Sequence, residues 1–90
     1  MKDKYIVVVS YSFDPEKPLF IFDTEEDALD HIEKDFENEK RIEIEESGRI
    51  LGEDLKCYFN RDEGYARMEI TSRRTGEVDV TEWAIGDIRN

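Results

Sequence analysis

The sequence predicts an α+β fold: a single compact domain over residues 1–90, with one amphipathic helix packed on an antiparallel sheet of about four strands. The expected order is strand, helix, strand, strand, strand, with room for one extra short strand. Three observations carry this expectation. Ninety residues leave space for one core and not two. One window places apolar residues at helical spacing. Several short stretches alternate apolar with polar residues between Gly- or Pro-containing turns.

Lys4 to Phe13 reads as the first strand. Tyr5, Val7, Val9, Tyr11 and Phe13 alternate onto one face, and Ile6 and Val8 make the other face apolar too, as in a strand with neighbours on both sides. Asp14-Pro15 and Lys17-Pro18 then form a loop, since each proline removes a donor and restricts the residue before it. Leu19 to Phe22 is either a short strand or the lead-in to a helix. Asp23 and Thr24 are both suitable N-caps, and Asp23 with Glu26 has capping-box spacing. Ala28, Leu29, Ile32 and Phe36 follow at helical spacing, which predicts a helix over about 24–40. Ile42 and Ile44 leave that stripe and alternate with Glu43 and Glu45, and acids suit a helix C-terminus poorly. Residues 41–46 are therefore expected to be extended, with Ser47-Gly48 as the turn. Leu55, Cys57 and Phe59 alternate, as do Ala66, Met68 and Ile70, with a turn at Asn60 to Gly64. After Thr75-Gly76, Val78 and Val80 occupy even positions, but Trp83 and Ile85 occupy odd ones. A bulge near Thr81-Glu82 is the expected cause.

Composition narrows the function classes. Charged residues make up 41% of the chain and hydrophobic residues 38%, a balance that borders on disorder. Aromatics at 11% and the clear apolar patterns argue for folding. No apolar run reaches the ~20 residues of a membrane span, and the stretch from Ile6 to Val9 is too short for a signal-peptide core of ~7–15 residues. A single cysteine permits no internal disulfide and no cysteine cluster for zinc. The expectation is a cytoplasmic protein without cofactor or metal. With 24 acids against 13 bases and a net charge of -11, direct binding to nucleic acid or to an anionic membrane is disfavoured.

The excess charge is local. Residues 25–46 hold 11 acids and 3 bases, a net of -8 on about a quarter of the chain. On a helical wheel Glu26, Asp27, Asp30, Glu33 and Glu37 point away from the apolar stripe, with Lys34 among them. Glu26 and Asp30 repel at i,i+4, at a cost of roughly 0.2–0.5 kcal/mol, so helix stability alone does not explain the arrangement. One reading is a solvated face that keeps the chain soluble. The sharper reading is a docking face in which carboxylates stand in for DNA phosphates and occupy a basic protein groove. In size and charge the chain resembles the acidic DNA-mimic inhibitors, including some phage anti-CRISPR proteins. No motif is shared, and no residue role is carried over.

Other candidate chemistry is thin. Asp27, His31 and Asp35 fall at i, i+4 and i+8, the spacing of a weak divalent-metal site, but no dedicated neighbour completes it. Cys57 alternates with core residues and reads as a small apolar side chain rather than a nucleophile. Asn60, Asp62 and Gly64 resemble part of a calcium loop, yet Thr71 stands where its final Glu belongs. Arg73-Arg74 is a short basic pair in a turn. Tyr11, Phe13, Tyr58, Tyr65 and Trp83 are numerous for a sheet with one helix, so some are expected on its open face. The leading expectation is a small acidic, non-enzymatic binding protein, a stoichiometric inhibitor or DNA mimic that occludes a basic, nucleic-acid-binding protein surface. The alternative is an accessory or structural module that self-associates through its open sheet face as a homodimer.

Overall fold

A computed structural model describes residues 4–88. Five strands and one helix follow in the order β1 (Lys4–Tyr11), β2 (Leu19–Phe22), α1 (Glu25–Glu45), β3 (Leu55–Asn60), β4 (Tyr65–Thr71) and β5 (Val78–Ile88). All pairings are antiparallel, and the sheet order is β2-β1-β5-β4-β3. The α+β class and the single helix on an antiparallel sheet are thus as the sequence predicts. Leu19–Phe22 is the extra short strand, paired with β1 at the sheet's edge.

Alternation sets the two faces. Val7 and Val9 of β1, Leu55 of β3, Ala66 and Met68 of β4 and Trp83 of β5 are buried under Ala28, Ile32 and Phe36 of α1. Phe36 packs edge-on against Trp83, with ring centroids 5.6 Å apart, and stacks on Phe59 at 5.7 Å. Burying a side chain of this size contributes about 1.5–3 kcal/mol, so these contacts hold the helix to the sheet.

Three local expectations are narrowed or corrected. First, of the two N-caps the sequence offers, the helix uses Thr24, whose hydroxyl accepts the Asp27 N–H at 3.1 Å; Asp23 lies one residue outside. Second, residues 41–45 continue the helix. The acids that oppose the helix dipole there have partners: Arg41 reaches Glu45 at 3.2 Å, and Arg49 returns to Glu43 at 2.9 Å. Ile42 is half-buried and Ile44 is exposed, so the extra turn needs no apolar stripe. Gly48, at φ 67, ends it in the left-handed region that glycine adopts without strain. Third, β5 has no bulge. Its register runs unbroken against β1 and β4. The phase shift is a change of face: Val80 points to the open side, and Trp83 points under the helix.

Candidate functional site

The acidic ridge exists as a surface. Thr24 fixes the start of α1, and the buried stripe fixes its rotation. Glu26, Asp27, Asp30, Glu33 and Glu37 are all exposed. Five carboxylates between positions 26 and 37 cover about 17 Å at ~1.5 Å per residue. That is one charge per ~4 Å, close to one phosphate per ~3.4 Å along a DNA strand.

The structure also brings in a residue that sequence reasoning missed. Arg61, in the turn between β3 and β4, contacts Asp30 at 2.8 Å and Glu33 at 3.8 Å. The carboxylate of Asp30 holds the Arg61 guanidinium above its usual pKa. Among the described residues, Glu26, Asp27 and Glu37 have no ion-pair partner within 4 Å. The sequence marked only the turn itself, through Gly64; a Cβ added there would stand 3.4 Å from Leu29 Cδ2, which sets the turn beside the helix. No sequence pattern tied Arg61 to the ridge.

The remaining candidates separate. His31 lies against aromatic rings, 4.6 Å from Phe20 and 5.2 Å from Phe22. Asp35 accepts the Trp83 indole N–H at 2.7 Å. Asp27 belongs to the ridge. Among the described residues, no group of three or more His, Cys, Asp or Glu side chains is arranged to hold a metal ion. Cys57 is half-buried on the helix side of the sheet, and burial raises its thiol pKa. Asn60 accepts the Glu63 N–H with its side-chain oxygen at 3.2 Å, an ordinary turn contact. Arg73 reaches Asp54 at 2.5 Å and the Gly48 carbonyl at 3.2 Å. No helix among the described residues is long and apolar enough to cross a membrane.

Asp54 is a second feature the sequence hid. It is 6% exposed, accepts the Ile50 N–H at 2.7 Å and sits 3.7 Å from Arg49. The Ile50 hydrogen bond leads, and Arg73 adds to it, in holding the Asp54 carboxyl below its usual range. Arg49 also pairs with Glu43, so this clasp ties the end of α1 to the chain on either side of β3 and β4.

The predicted aromatics divide between the faces. Tyr11 and Trp83 face the helix side, Phe13 is 63% exposed in the β1–β2 loop, and Tyr58 and Tyr65 sit on the open face with rings 6.0 Å apart. Tyr65 donates to Glu82 at 2.5 Å, and Arg67 lies 3.6 Å from both Glu69 and Glu82. Beyond this charged half, the open face turns apolar toward β2. Leu19 and Ile21 are 62% and 64% exposed beside half-buried Ile6 and Val8.

The fold and surface define a small acidic α+β protein with a carboxylate-lined helix. No protein-family model matches the chain, and no curated protein or solved structure matches it either.

Proposed function

We propose that this chain is a non-enzymatic binding protein that docks its acidic helix on a basic protein surface and occludes it stoichiometrically. The favoured partner class is a protein whose cationic groove binds nucleic acid, which makes the chain a DNA mimic and inhibitor. The observation that carries the reading is the outward row Glu26, Asp27, Asp30, Glu33 and Glu37, at near-phosphate charge spacing and, among the described residues, offset within 4 Å by Arg61 alone. Charge of this kind speeds encounter and selects the partner, and apolar neighbours supply lasting affinity.

The test replaces Glu26, Glu33 and Glu37 with Gln and Asp30 with Asn. The fold survives, because these positions lie outside the buried stripe. Affinity for a captured basic partner, measured across a salt series, falls for the variant, and its salt dependence flattens. A solubilising face predicts superimposable curves and poorer solubility.

A second reading has its own support. Leu19 and Ile21 are exposed on edge strand β2, and such an edge invites pairing or apolar association. Under it the chain is a structural module that forms a homodimer through the open face.

A further inference from the structure

The inward stripe of α1 changes character along its length. Ala28, Ile32 and Phe36 are buried in it. Glu39 and Glu43 follow on the same stripe, within about 20° of Ile32 at ~100° per residue. A helix held to the sheet only by apolar packing would carry Leu or Ile at these positions. Here its second half overhangs a cavity of about 380 Å³, between α1 and the sheet, lined by residues of β2, β1, β5 and β4. Small-molecule sites span ~300–1,000 Å³.

The walls of this cavity are aromatic and its lip is acidic. Tyr11 and Phe13 contribute rings 5.2 Å apart, tilted by 41°, and Trp83 contributes the indole. Asp35, Glu39 and Glu43 line the same space. Glu43 is matched by Arg49 at 2.9 Å. Asp35 is oriented by the Trp83 N–H and, like Glu39, has no ion pair within 4 Å among the described residues. Burial, then the charges of Asp35 and Glu43, push the Glu39 carboxyl above its usual range. Burial, then Asp35, Glu39 and Asp14, do the same to the Tyr11 phenol. The cavity therefore carries negative charge beside π faces, at half-buried Asp35 and at exposed Glu39 on its lip, that no ion pair among the described residues offsets.

We propose that this cavity binds an alkylguanidinium group, the head of an arginine side chain or of a free arginine-like cation, stacked on Tyr11 and Phe13 and held by the Asp35 and Glu39 carboxylates. A guanidinium suits the site better than an ammonium. It is flat, weakly hydrated and stacks on aromatic faces. Its forked donors reach two carboxylates one helical turn apart, whereas an ammonium is a compact, strongly hydrated point charge. No bond is made or broken. The site lies on the inward side of α1, away from the outward ridge, and stands whether or not the ridge docks on a partner.

Trp83 is the only tryptophan, so its indole N–H resonance and its fluorescence report on the cavity wall. The protein is titrated with N-acetyl-arginine amide, with agmatine, and with N-acetyl-citrulline amide as the uncharged analogue, at constant ionic strength. Saturable shifts are expected with the two cations at millimolar concentrations, and the tighter of the two identifies peptide or free cation as the source. Citrulline amide leaves the signals unmoved. Glu39→Gln weakens cation binding roughly tenfold, as expected on losing a charge-assisted contact. Phe13→Ala, at an exposed loop position outside the core, weakens it too with the fold intact by circular dichroism. The ridge variant binds the cations like the wild type, which separates this site from the docking reading. Absence of saturation with both cations, equal response to citrulline amide, or unchanged affinity in Glu39→Gln overturns the proposal.

Discussion

Gly64 is the residue on which the turn beneath the helix depends, and Gly64→Ala tests that directly. Gly64 is buried at φ 63, and its carbonyl accepts the Ile85 N–H at 3.0 Å. A Cβ there would stand 2.1 Å from Ile85 Cγ2, 3.1 Å from Ile85 Cβ and 3.4 Å from Leu29 Cδ2. Ile85 is β-branched and held in a strand, so it has little room to rotate away. Left-handed backbone costs an L-residue about 1–2 kcal/mol, and overpacking adds about 1–3 kcal/mol, for a total of roughly 2–5 kcal/mol. At about 4–8 °C per kcal/mol in a domain of this size, the melting temperature drops by about 10 °C or more. Gly48→Ala is the matched control: φ is 67, but nothing lies within 4 Å of the added carbon. It bears only the backbone cost. Thermal and urea unfolding of both variants, followed by circular dichroism, gives the comparison. If Gly64→Ala is no worse than Gly48→Ala, the turn is not wedged between β5 and α1, and the placement of Arg61 against the ridge loses its basis.

Three further outcomes are expected. Asp54→Asn lowers stability at neutral pH. Because folding depresses the Asp54 carboxyl, its stabilisation is present above the ordinary carboxylate range and is lost as pH falls through the depressed folded value. The variant's stability therefore changes less across that acidic window than the wild type's, and urea midpoints at several pH values check it. Arg61→Gln removes the cation beside Asp30 and Glu33, so association with a basic partner becomes faster at low salt and more salt-dependent, as read by stopped-flow kinetics. Leu19→Lys combined with Ile21→Lys, at positions more than 60% exposed, leaves the mass measured by light scattering unchanged if the protein is monomeric and abolishes any dimer formed through the open face.

Most of the fold was legible because period and punctuation agree. Val7 and Val9, Ala66 and Met68, and Ala28, Ile32 and Phe36 follow strand and helix periods, and all are buried. The departures arise where tertiary contacts outweigh local preference. The last helical turn looked unfavourable because Glu43 and Glu45 face the negative helix end. Arg49, contributed from outside the helix, offsets Glu43, and local periodicity carries no trace of that pairing. In β5 a two-faced strand imitates a bulge, since Val80 and Trp83 each belong to a different face. The ridge was readable as a wheel pattern. Arg61, the reach of Arg73 to Asp54 and the Asp35–Trp83 bond were not, because each joins residues far apart in sequence, 31 positions for Arg61–Asp30 and 48 for Trp83–Asp35.

The central claim is that the ridge takes the place of nucleic acid on a basic partner. The measurement that meets it most directly is displacement of labelled duplex DNA from the captured partner, by wild-type protein and by the Glu26→Gln, Asp30→Asn, Glu33→Gln, Glu37→Gln variant. Wild type is predicted to release the DNA completely at one equivalent, and the variant is predicted to need a large excess. A ternary complex of protein, partner and DNA, or equal displacement by both forms, contradicts the account.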